Sequence, residues 1–206
     1  MSFPTRTPDD RMASRTAISL CYRLHPSVSV CTLPSVPYRP FEVNVKRQNR
    51  NSVRRSLLKL VEESYSKKAW HGPNLRGSLR GITVSEASWR PAPNRHNIWE
   101  IIVHCAYWKY VVRRRILGER RATFPHNGSN WFKRPLVLTP EALRQDIVLL
   151  EQTHRAMVLA LSTLSAAALE QIPRNSKVSN EAIIRGIAFH DVYHAGQIQL
   201  LKKLQR

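Results

Sequence analysis

The sequence predicts an all-α protein: a four-helix bundle preceded by a disordered N-terminal extension. Four stretches place their apolar residues at three- and four-residue intervals, the mark of amphipathic helices. No stretch shows sustained apolar/polar alternation, so strands are not expected. The connector between the second and third helices is long enough to span a helix, which makes an up-down-down-up order feasible.

Helix one begins at about residue 49, where "NSVRRSLLKLVEESYSKKAW" lines up Val53, Leu57, Leu60, Val61 and Tyr65. The following "HGPNLRGSLRGITVSEASWRPAPNRH" is dense in Gly and Pro and is expected to hold only short helical turns, near 74–79 and 84–89. Helix two is expected to start with Asn94 as N-cap and to stop at Gly118. Its stripe runs Ile101, His104, Trp108, Val111. Thr139-Pro140-Glu141 gives helix three a cap, a proline in its first turn and an acidic start, and the pattern continues to about Ser162. Ser179 caps helix four, with Glu181 soon after and a stripe of Ile183, Ile187, His190, His194, Ile198 and Leu201. A helix of about 23 residues is roughly 35 Å long, a distance the residues between helices two and three can cross.

At 206 residues the chain is expected to form one domain with an appendage. The break falls near residue 48. Positions 1–47 are rich in Pro, Ser, Thr and Arg without helical or strand period, and read as a disordered basic extension; positions 48–206 form the bundle. A targeting leader and an upstream start-site artefact both remain compatible with the extension, although no compact apolar region with a cleavage site follows. No 18-residue apolar run exists to span a bilayer, so no membrane partner is expected. Cys21, Cys31 and Cys105 form no CxxC pair, which fits a reducing cytoplasm.

The net charge of +19 would permit nucleic-acid binding, but the basic excess is spread along the chain. Its densest run, with Arg113, Arg114, Arg115, Arg120 and Arg121, falls at a helix end, where cations suit the macrodipole. A nucleic-acid partner is therefore not expected.

Chemistry concentrates in three histidines. His190 and His194 lie one turn apart on the apolar face of helix four, and His104 lies on the apolar face of helix two. A single histidine there would be an ordinary hydrogen-bonded core residue. Three imidazoles buried without strong partners would cost several kcal/mol, roughly. One divalent ion bound by all three removes that cost, and an i, i+4 pair with a third ligand from a facing helix is a common way to supply it. Zinc and nickel suit imidazole best; iron and manganese also fit.

Asp191 points about 100° away from His190, so the segment is not the H-E-x-x-H of zinc proteases. It either bonds a neighbouring helix or orients a ligand. Gln197 could orient a ligand, touch substrate or simply pack, and His71 could reach the mouth of the site or sit at the surface. Tyr193 and Trp108 read as core and wall, and Cys105 as a small buried hydrophobe. No catalytic residue can be assigned.

"NIWEIIVHCAYW" on one helix and "HDVYHAGQIQLLKK" on the last resemble the DinB-like superfamily of metal-binding four-helix proteins, through W-x-x-x-x-H and H-x-x-x-H-x-G-Q in that order. "WHGPNLRGSL" and "FPHNGSNW" are similar to members of the same group. The resemblance covers roughly residues 48–206 and implies His104, His190 and His194 as ligands in an up-down-down-up bundle. Some such proteins are transferases using a low-molecular-weight thiol; others are isomerases or hydrolases. The resemblance thus implies a metal-dependent thiol transferase or hydrolase acting on a small molecule. The alternative is a non-catalytic metal-binding stress protein, and a homodimer is compatible with either.

Overall fold

The computed structural model describes residues 42–206 except 121, 122 and 129. The extension expected over residues 1–47 lies almost wholly outside the described residues, as do Cys21, Cys31 and Arg121. Among the described residues the chain is all helical: α1 (Glu42–Tyr65), α2 (Leu75–Ser78), α3 (Val84–Ser88), α4 (Ile98–Ile116), α5 (Pro140–Thr163), α6 (Ala166–Glu170) and α7 (Asn180–Leu204). Four are long and three are single turns or little more.

Local chemistry explains most ends. Thr83 and Glu86 close a capping box on α3, Thr139 caps α5 ahead of Pro140, and Ser179 caps α7. Gly118 terminates α4 in the left-handed region, φ 65°, which glycine adopts without steric cost.

Two boundaries and one extra helix differ from expectation. Helix α1 starts at Glu42, ahead of residue 49. The cap of α4 is Asn97, not Asn94, which sits in a turn at φ 62°. Asn97 prevails because it bonds in both directions: Oδ1 accepts from Glu100 N at 2.8 Å, and Nδ2 donates to Arg134 O at 2.8 Å. Helix α6 is an additional short helix, capped by Ser165 and held against α7 by Asn180 Nδ2 donating to Ala168 O at 2.8 Å.

Helix α4 is central. Every residue from Ile98 to Ala106 is buried, as befits a helix whose first half is apolar on most sides. Trp99 meets Asp146 near the start of both α4 and α5, while Val112 and Ile116 share an apolar cluster with Met157 and Leu161. Residue numbers thus rise together along α4 and α5. Along α4 and α7 they run in opposition: His104 meets His194, Lys109 meets Asp191, and Val112 shares its cluster with Ile183 and Ile187. They also oppose along α1 and α5, since Tyr65 stacks on His154 while Arg54 reaches Leu164 O. The three site histidines lie on neither terminal turn of α4 or α7.

Candidate metal centre

The residues between α4 and α5 are pinned by two buried carboxylates. Asp146 accepts from Trp99 Nε1 at 2.7 Å and Arg134 Nε at 2.9 Å, and lies 3.0 Å from His126 Nε2. Glu100 accepts from Arg134 N of that segment at 3.4 Å, and is itself held by both terminal nitrogens of Arg90, at 2.5 and 3.0 Å, and by His96 Nδ1 at 2.9 Å. Burial pushes the Glu100 carboxyl up, but the bonds from Arg90 and His96 outweigh it and hold it below the usual carboxylate range. This anchoring delivers Asn130 and Trp131 to α4.

Asn130 has φ 64°, a left-handed conformation that asparagine tolerates better than most residues. The turn lets it make two contacts. Its carbonyl accepts from His104 Nδ1 at 2.7 Å, and its side-chain oxygen accepts from Trp108 Nε1 at 2.9 Å. Trp131 stacks on His104 at 3.8 Å between centroids and carries His96 on its other face at 3.6 Å. His104 is thereby fixed in ring plane and tautomer: Nδ1 holds the proton and Nε2 offers its lone pair to the interior.

His194 is fixed in the same way. Its Nδ1 lies 2.6 Å from Gln197 Oε1, and Gln197 Nε2 donates to Tyr193 Oη at 3.0 Å. Both outer imidazoles therefore aim Nε2 at a common point, and His190 completes it. His190 Nε2 lies 3.0 Å from that of His104 and 3.1 Å from that of His194. One N–H on His190 cannot satisfy two inward lone pairs well. A cation can: nitrogens about 2.0–2.1 Å from a tetrahedral ion stand roughly 3.3 Å apart, close to the observed spacing.

The three rings are held neutral. Burial lowers the proton affinity of His104, partly opposed by its bond to Asn130. Burial first, then the neighbouring histidines, takes His190 down to about 3; burial and His104 take His194 down to about 4. All three are electron-pair donors at neutral pH, as metal binding requires.

The structure gathers His104, His190 and His194, and places Gln197 directly behind His194. Asp191 is fully buried in an ion pair with Lys109 of α4, and its carboxylate also comes within 4.8 Å of a His190 ring nitrogen and of the Cys105 sulfur. His71 stays exposed on the connector, without a hydrogen bond or ring contact to the three histidines. Tyr193 is 63% exposed and forms rim rather than core, because its place on α7 turns it outward. Trp108 walls the site at an edge-on 6.3 Å from His104, and Cys105 is wholly buried, where its surroundings push the thiol well above its ordinary pKa.

Asn130, Trp131 and Lys109 join or border the site without standing among the residues the sequence pattern marks. Asn130 carried no helical or metal-ligand signal of its own. Lys109 did leave one, a lysine on the core side of an apolar helix.

A family model described as the DinB superfamily matches residues 69–198, well over half of the chain and inclusive of the three histidines. No curated protein and no solved structure matches it.

Proposed function

The chain belongs to the DinB superfamily, and from that premise we propose that it is a metal-dependent enzyme whose divalent ion, zinc or nickel, is held by His104, His190 and His194. The observation that carries this reading is the convergence of three Nε2 atoms whose two outer rings are locked by Asn130 and Gln197. Such an ion keeps its charge for its open positions and so lowers the pKa of a water or thiol placed there.

The protein's own residues supply the rest. Asn130 and Gln197 hold protons on the outward nitrogens, which keeps the inward ones free. The flat face of Trp131 and the indole of Trp108 wall the site against water, while exposed Tyr193 and half-buried Gln197 stand where a small substrate would enter. A small electrophile attacked by a low-molecular-weight thiol or by water is the reaction class this supports. The opposed numbering along α4 and α7 and the common numbering along α4 and α5 support the up-down-down-up order.

The test is elemental analysis of untagged protein beside single alanine variants. His104→Ala, His190→Ala and His194→Ala should each lose most of the metal, while His71→Ala and His126→Ala retain it. Full occupancy in any of the first three removes that residue from the site. A holo protein inert toward a broad electrophile panel, with either thiol or water as nucleophile, would favour the non-catalytic metal-binding alternative.

A further inference from the structure

On a different face of the chain, a cavity of about 800 Å³ opens between the C-terminal end of α1, the connector through α2, and α5. It shares no lining residue with the histidine site, and its size falls within the range of about 300–1,000 Å³ usual for small-molecule pockets. Its apolar side is formed by Leu79, Ile147 and Leu150. Its polar side carries Lys67, Lys68, Arg76 and Arg80 against one carboxylate, Glu151, which Arg76 already engages at 3.0 Å. Lys67, Lys68 and Arg80 have no acidic partner among the described residues.

The rim is built rather than loose. Asn74, itself buried, donates from Nδ2 to Lys67 O at 2.7 Å and accepts from Gly77 N at 2.9 Å, tying the two ends of the connector together. Lys202 of α7 donates to Arg80 O at 3.1 Å and fixes the far side. Between lining residues Ala69 and Gly72 stands Trp70, entirely exposed. Trp70 does not itself line the cavity, but an indole left fully in water in the chain segment at its rim is free to stack on a ring held there.

We propose that this cavity is a second binding site, separate from the histidines, for a small organic phosphate carrying a flat ring. The phosphate sits among Lys67, Lys68 and Arg80, and the ring lies against the apolar side and the indole of Trp70. A recess with an apolar side fits a small molecule better than a polymer backbone, which needs only a surface track.

Phenyl phosphate is the probe, titrated into the full-length protein by calorimetry and indole fluorescence, beside inorganic phosphate and phenol. The expected result is saturable binding at one site, about tenfold tighter than either fragment. Arg80→Glu should weaken it by at least about tenfold with melting temperature unchanged. Trp70→Ala should weaken phenyl phosphate but not inorganic phosphate. Chelation and His190→Ala should leave it intact, so its failure is distinguishable from failure of the metal reading. Absence of saturation at millimolar probe overturns the proposal. So does binding that vanishes on chelation yet ignores Arg80→Glu, which would put the anion at the histidines. A single-stranded oligonucleotide that binds in proportion to its length through Lys67, Lys68 and Trp70, with phenyl phosphate inert, would make this face a nucleic-acid surface and overturn it as well.

Discussion

Gln197 earns its place through one bond. Its Oε1 accepts from His194 Nδ1, which fixes the ring that must aim Nε2 inward. Partners of this kind are worth about 10–100-fold in metal affinity, so Gln197→Ala should bind zinc that much more weakly while keeping one ion per chain. Competition with a fluorescent chelator reads it; unchanged affinity would reduce Gln197 to packing. A second residue-scale effect concerns His154, buried 3.7 Å above the Tyr65 ring with Glu62 Oε1 3.9 Å from its Nε2, and with no hydrogen bond to either ring nitrogen among the described residues. Burial, then the positive charges of Lys109 and Arg155, takes it down to about 2. The unfolded chain binds a proton here below about pH 6.5 and the folded chain does not, so the associated stability is complete above pH 6.5 and is lost as pH falls towards 2. At pH 4.5 the loss is about 2–3 kcal/mol, up to about 1.4 kcal/mol per pH unit. His154→Phe, which keeps the stack, should flatten that part of the urea-stability profile between pH 4.5 and 7; an unchanged slope would mean that the ring is protonated in the fold.

At the scale of elements, α4 and α7 are joined by the ion pair of Lys109 and Asp191, both essentially inaccessible to solvent. Burial raises the Asp191 pKa and Lys109 opposes that rise. Removing one partner strands a charge in a low-dielectric interior, at a cost of about 3–5 kcal/mol, whereas replacing both with apolar groups can be nearly neutral. Lys109→Met should therefore lower stability to urea by about 3 kcal/mol, and adding Asp191→Leu should restore most of it. A single variant as stable as the parent would show that the pair is not a buried charge pair. Failure of the double variant to recover would point to packing rather than charge.

At the scale of the whole molecule, the three histidines stand where helices distant in sequence meet, so an ion bound there favours the folded chain alone. At free metal a thousandfold above Kd the gain is about 4 kcal/mol. For a chain of this size that is a rise in melting temperature of roughly 10 °C. Calorimetry at pH 7.5 of zinc-loaded and chelated protein should show the difference, and His190→Ala should abolish it. Equal melting of the two forms would remove the ion from the core.

The helical class, three of the four long-helix boundaries at one or both ends, and the three convergent histidines were legible because period, caps and i, i+4 spacing are local properties of a chain. The burial of Cys105 followed from the same geometry. Asn97 displaced Asn94 as a cap only because Arg134, far along the chain, offered its carbonyl. Asn130 became a partner of His104 only because Asp146 and Glu100 pin the intervening segment, and Lys109 found Asp191 only when α4 packed on α7. Sequence determined which residues could donate a lone pair or bury a face. Tertiary structure decided which donors met, since hydrogen bonds and ion pairs between distant residues depend on ångström-scale approach that no local pattern encodes.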